Sequence, residues 1–138
     1  MIVILKNFRC WENQTFEFPD DGLTLLSGKS GVGKSSILQA IHFCLFGKGT
    51  KIVKLGTTTC KVEIRYKDLH IVRTKKPSNK LVVNDVFEDD VAQEIINKRF
   101  GINFSVVSYL EQDVFKSIVY MSPSSRLEFL ETFAFENF

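Results

Sequence analysis

Leu23-Thr24-Leu25-Leu26-Ser27-Gly28-Lys29-Ser30-Gly31-Val32-Gly33-Lys34-Ser35-Ser36 is the stretch whose reading decides the fold. Gly28 to Ser35 fits G-x-x-x-x-G-K-[ST], the phosphate-binding P-loop. Its glycines allow the backbone a positive φ and a close approach to phosphate oxygens. The loop amides, including those of Ser30, Gly31, Val32 and Gly33, then converge into an anion-binding concavity at the positive end of the following helix. Lys34 is placed for the β- and γ-phosphates, Ser35 for Mg²⁺ and Ser36 for the α-phosphate. Context supports the motif. Residues 23–26 have the composition of a strand, and Ile37, Leu38, Ile41, Cys44 and Leu45 follow at helical spacing. An unpaired lysine at a tight strand-to-helix turn has no packing rationale. The stretch implies a nucleoside triphosphate ligand.

Length and composition narrow the field. The 138 residues fit one domain with a core of its own, and 44% hydrophobic content with 13 phenylalanines excludes disorder. A formal net charge of +2 does not by itself imply nucleic acid. Cys10, Cys44 and Cys60 are scattered and odd in number, which reads as reduced thiols in the cytoplasm or nucleus. His42 and His70 are isolated, without metal-ligand spacing. No segment has transmembrane length, no membrane association is expected, and no signal-peptide pattern opens the chain.

Taken in order, residues 2–8 predict a strand and residues 15–18 a second, half-buried one, the pair forming a hairpin. Trp11-Glu12-Asn13 reads as the loop between them. Residues 23–26 are the third strand, delivering the P-loop, and a helix from Lys34 stops at Gly47. A polar loop covers 48–59. Strands follow at 62–66, 69–75 and 81–84, with a basic turn at Lys75-Lys76-Pro77-Ser78-Asn79-Lys80. Asp89 to Phe100 predicts an amphipathic helix with Val91, Ala92, Ile95, Ile96 and Phe100 inward and Gly101 as its stop. Residues 104–110 predict a strand. Ser122-Pro123 then starts a last helix in which Leu127, Leu130, Phe133 and Ala134 recur at helical spacing.

A Mg²⁺-dependent P-loop ATPase also needs an acidic residue at the end of a second apolar strand. Neither Leu81-Val82-Val83-Asn84-Asp85 nor Val106-Val107-Ser108-Tyr109-Leu110-Glu111 supplies an unbroken version. The expectation is a nucleotide site whose hydrolytic machinery is incomplete.

Several stretches together resemble one family. Leu5-Lys6-Asn7-Phe8-Arg9, the P-loop with Ser36, and Tyr109-Leu110-Glu111-Gln112 with Ser122-Pro123-Ser124-Ser125-Arg126 resemble the N-terminal lobe of the ATPase head in SMC-like proteins. The likeness is closest to the SbcC-type double-strand-break-repair ATPases within the SMC/ABC-type P-loop superfamily, and it covers nearly the whole chain. It implies an α/β fold of the ABC-ATPase N-terminal type, a mixed sheet with antiparallel hairpins plus the P-loop helix, over residues 1–138. It implies that Gln112 is the Q-loop glutamine, acting catalytically beside Lys34 and contacting Mg²⁺ with Ser35. Arg9, with Cys10 beside it, is implied near the phosphates or adenine.

The same likeness implies ATP and Mg²⁺ as ligands and a C-terminal lobe, in cis or in trans, carrying the Walker B and signature motifs. It further implies head-to-head dimerisation gated by ATP, a nuclease partner, and DNA on a basic surface to which Lys48, Lys51, Lys54, Lys75, Lys76 and Lys80 contribute. Where family P-loops carry asparagine and serine, this chain has Ser30 and Val32. The C-terminal lobe and coiled coil are expected to be truncated here or encoded elsewhere, leaving hydrolysis conditional on their supply. Two other classes fit a bare P-loop: a self-contained small nucleotide kinase or NTPase, and a non-catalytic assembly module.

Overall fold

A computed structural model describes residues 1–101, 104, 108–109 and 121–135. The chain divides into two compact units, Met1–Ile96 and Asn97–Phe138.

The first unit is a sheet with a helix on one face. Six strands, β1 (Ile2–Phe8), β2 (Trp11–Glu17), β3 (Cys60–Tyr66), β4 (Leu69–Lys75), β5 (Lys80–Val83) and β6 (Phe87–Glu88), lie in the order β2-β1-β3-β4-β5-β6. Every described ladder is antiparallel. Alternation explains the layering: Val3, Leu5, Val62, Ile64, Ile71, Leu81 and Val83 all turn to the buried side. Helix α1 (Lys34–Phe46) covers β1, β3 and β4, with Ile37, Ala40, Phe43, Cys44 and Leu45 buried. Phe43 and Phe8 meet with ring centroids 5.9 Å apart. Burying such a ring contributes about 1.5–3 kcal/mol.

The C-terminus of α1 is closed by Gly47 and Arg73. Gly47 takes the left-handed conformation (φ 70°), and its N–H donates to the Phe43 carbonyl at 2.8 Å. From β4, Arg73 Nε donates to the Cys44 carbonyl at 2.8 Å and Nη2 to the Leu45 carbonyl at 3.1 Å. These are carbonyls that the last turn cannot pair internally. Nη2 also reaches Gln93 Oε1 at 2.6 Å, and Gln93 Nε2 donates to the Leu45 carbonyl at 3.0 Å. One guanidinium therefore joins β4, α1 and α2 (Asp89–Phe100).

On the sheet face opposite Val62 and Ile64, Glu63 is surrounded by Arg65, Lys61 and His70 nitrogens. Its side chain is only 10% exposed. Arg65 Nη2 lies at 2.7 Å, His70 Nε2 at 3.1 Å and Lys61 Nζ at 3.2 Å. Burial pushes the carboxyl pKa up, but hydrogen bonds from Arg65, Lys61 and His70 outweigh it and hold the group below its ordinary 4.5. A depressed carboxylate stabilises the fold above its unfolded-state pKa and loses that contribution as pH falls through the folded value. Glu63→Gln is expected to lower unfolding free energy by about 1–2 kcal/mol at neutral pH. Denaturant titrations of both proteins at stepwise lower pH should converge as pH falls below the ordinary carboxyl value and through Glu63's depressed one.

Several expectations change. Residues 23–26 form no strand: Leu23 is 98% and Leu25 86% exposed, because strand character needs a hydrogen-bonded neighbour and none is present among the described residues. β2 begins at Trp11 rather than Thr15, because a two-residue turn at Arg9 and Cys10 sets Trp11 opposite Phe8. Residues 11–13 are therefore strand and not loop. β6 pairs Phe87 with Val83 and had no periodic signal. Leu38 and Val91 are exposed, so the inward stripes of α1 and α2 are narrower than their apolar spacing suggested; Ala92 and Ile96 are the buried pair of α2.

In the second unit, Gly101 stops α2, its N–H donating to the Asn97 carbonyl at 2.9 Å. The described residues of the expected strand 104–110 are not extended. Ser108 N–H donates to the Phe104 carbonyl at 2.9 Å, a helical i to i+4 pairing that local hydrogen bonding favours over an unpaired strand. Helix α3 (Pro123–Phe135) starts as its capping residues require: Ser122 Oγ accepts the Ser125 N–H at 3.2 Å, with Pro123 in the first turn. Leu127 and Leu130 are exposed. No helix among the described residues is long and apolar enough to cross a membrane.

Candidate nucleotide site

The P-loop runs directly into α1. Gly33 caps the helix with φ 97° and ψ 14°, and its carbonyl accepts the Ser36 N–H at 3.0 Å. No side chain caps this end of α1. The left-handed region costs about 1–2 kcal/mol for a residue bearing a Cβ. Space forbids one as well: a Cβ on Gly33 would lie 2.6 Å from Cys10 Sγ and 3.0 Å from Trp11 Cε2 and Cζ2.

Lys34 reaches back over the loop. Its ammonium donates to the Gly28 carbonyl at 2.7 Å and to the Lys29 carbonyl at 2.8 Å. The cation is thus held inside the turn, over backbone that an incoming phosphate would share. Ser35 is exposed in the first turn of α1, and Ser30, Gly31 and Val32 form the exposed rim. A glycine-built turn closed by a cation suits a polyphosphate.

The β1–β2 turn supplies the wall. Arg9 adopts φ 51°, its N–H donates to the Ile52 carbonyl at 2.7 Å, and Nη2 donates to the Thr50 carbonyl at 3.2 Å. Arg9 Nε is buried without a partner, which leaves the guanidinium incompletely satisfied. Lys54 N–H donates to the Asn7 carbonyl at 2.8 Å, and Lys54 Nζ pairs with Glu12 at 2.9 Å, so residues 47–59 lie along this turn. Cys10 is exposed beside Gly33, whereas burial pushes the Cys44 thiol up to about 12 and also raises Cys60.

Cys10 therefore lies beside Gly33, next to Lys34 and the exposed Ser30, Gly31, Val32 and Ser35 and the half-buried Ser36, while the Arg9 side chain turns to the Thr50 carbonyl. Gln112 lies outside the described residues. Trp11 was not foreseen from sequence; the signal was its place directly after a two-residue turn. Among the described residues no three His, Cys, Asp or Glu side chains gather as metal donors.

A family model described as an AAA domain matches residues 3–136. Protein 050L of Invertebrate iridescent virus 6 is 43% identical over 138 residues, spanning 95% of this chain and 12% of that protein. A protein of Methanococcus maripaludis named DNA double-strand break repair Rad50 ATPase is 32% identical, spanning 90% of this chain and 14% of that one. The chain thus spans about an eighth of the length of these curated relatives. A solved structure described as "Structural biochemistry of ATP-driven dimerization and DNA stimulated activation of SMC ATPases" superposes with a TM-score of 0.72 at 21% identity, covering 96% of this chain and 97% of that one. Antiparallel sheet, P-loop helix and these matches converge: the chain belongs to the AAA-domain family, alongside relatives named Rad50 and RecF, and has the fold of the N-terminal lobe of an SMC-like head.

Proposed function

We propose that residues 1–138 are the ATP-binding half of an SMC-like ATPase head acting in DNA double-strand-break repair, recombination or chromosome maintenance. The observation that carries this reading is the Lys34 ammonium held over the Gly28 and Lys29 carbonyls beside a left-handed Gly33. Lys34 would bind the β- and γ-phosphates, Ser36 the α-phosphate and Ser35 Mg²⁺, with the loop amides around them. Arg9 and Cys10 would line the nucleotide, and Gln112 would complete the Mg²⁺ and γ-phosphate end. Bound ATP and Mg²⁺ would supply the electrophilic phosphoryl group and its charge neutralisation.

The exposed apolar run at 23–26 supports a head completed by further chain, because backbone with this composition gains most from joining a sheet. A C-terminal lobe, in cis or in trans, would supply that sheet together with the acidic and signature residues. Head-to-head engagement on ATP, a nuclease subunit and a basic DNA surface belong to the same reading. A self-contained kinase is disfavoured by the antiparallel hairpins β3–β4 and β4–β5 that follow α1.

The test is complementation. Co-expressed with the C-terminal lobe of an SMC-like ATPase head, the chain is expected to form a complex with Mg²⁺-dependent ATP turnover absent from the chain alone. A purified complex without turnover contradicts a split head.

A further inference from the structure

We propose that Trp11 is a positioning residue for the phosphate cradle, its indole serving as the floor that keeps Gly33 left-handed at the first turn of α1. The inference rests on the nucleotide reading and adds to it a residue outside the P-loop. Gly33 is the point where loop becomes helix, and no side-chain hydrogen bond fixes it. The indole fixes it by contact instead. Cε2 and Cζ2 sit where a side chain on Gly33 would point, 3.0 Å from its would-be Cβ.

The ring is itself braced. Trp11 pairs with Phe8 in the ladder and lies edge-on to Phe16, with centroids 5.2 Å apart and planes at 77°. The next residue, Glu12, is tied to Lys54 at 2.9 Å. A buried indole ordinarily finds an acceptor for its N–H. Here Nε1 is buried with no partner among the described residues, so the position uses the shape of the ring and forgoes its hydrogen bond. A rigid floor matters because the cradle amides bind phosphate best when already aimed; amides free to relax lose affinity to reorganisation. Trp11 would thus raise affinity without touching the ligand.

Trp11 is the chain's one tryptophan, so its emission reports on this spot alone. MgATP affinity is measured by calorimetry, beside thermal melts, for the unaltered chain, Trp11→Phe, Trp11→Leu and Trp11→Ala. Trp11→Phe is expected to bind within about threefold of the unaltered chain. Trp11→Leu and Trp11→Ala are expected to bind about tenfold or more weakly, Trp11→Leu with little change in melting temperature. The unaltered chain's emission should shift with the calorimetric midpoint, because charge arrives beside the ring. If Trp11→Ala does not fold, the phenylalanine and leucine variants decide: equal affinities overturn the proposal, as does emission unmoved at saturation. No binding by the unaltered chain overturns the nucleotide reading first, and this inference with it.

Discussion

Lys34→Ala is expected to weaken MgATP binding about 100-fold or more while moving the melting temperature by only a few degrees. The asymmetry follows from what the ammonium touches. In this structure it donates to two exposed carbonyls, those of Gly28 and Lys29. Each bond contributes about 1 kcal/mol or less to the fold, since water replaces it when it is lost. Against a triphosphate the same cation makes charge-assisted hydrogen bonds, about 1.5–3 kcal/mol each, and 1.4 kcal/mol is tenfold in affinity. Two such bonds give the stated loss. Lys34→Arg should retain part of the affinity, because the charge remains but the planar fork does not fit a turn shaped around a compact ammonium. Calorimetry with ATP and Mg²⁺, paired with thermal melts, separates the two effects.

Arg73→Ala is expected to act in the opposite sense, on stability and only secondarily on nucleotide binding. Its guanidinium pairs the Cys44 and Leu45 carbonyls at the C-terminus of α1 and holds Gln93 of α2. Burial lowers its pKa from the ordinary value, with the Asp89 carboxylate opposing, but it remains charged at any working pH. Removing it takes the Arg73 donor from the Cys44 carbonyl, leaves the Leu45 carbonyl with Gln93 Nε2, and takes a cation from the negative end of the helix. The expected cost is about 2–4 kcal/mol, or roughly 10 °C in melting temperature for a domain of this size. Arg73→Lys should recover only part, since one ammonium cannot serve three acceptors lying in different directions. Nucleotide affinity measured well below the transition should change little, because α1 is anchored there at the end away from Lys34.

These two residues differ in how readable they were. Lys34 belongs to a motif whose spacing is dictated by phosphate geometry, so eight residues sufficed to place it. Arg73 sits in a strand of alternating pattern, where an inward-facing arginine looks like an error until the carbonyls beneath it are seen. Strand β1 was legible from its continuous apolar run, and β3 and β4 from alternation and the Lys67-Asp68 turn between them. Residues 23–26 were misread because apolar composition states a preference for a sheet, while the sheet itself must come from elsewhere. Of the stretch 104–110, β-type in composition, only residues 104, 108 and 109 are described, and there Ser108 N–H pairs locally with the Phe104 carbonyl. Arg9 and Cys10 were placed by resemblance alone, and the structure sets Cys10 against Gly33. Trp11 escaped notice because it reads as part of a loop, while the ladder with Phe8 makes it the first residue of β2.

The central claim is that the turn from Gly28 to Ser35 holds a triphosphate. A crystal structure of the chain with Mg²⁺ and a non-hydrolysable ATP analogue tests it most directly. The expected result has the phosphates within that turn and Lys34 Nζ moved from the Gly28 and Lys29 carbonyls onto phosphate oxygens, with Gly33 still resting on Trp11. An analogue bound elsewhere at saturation, with Lys34 unmoved over an empty turn, would contradict it.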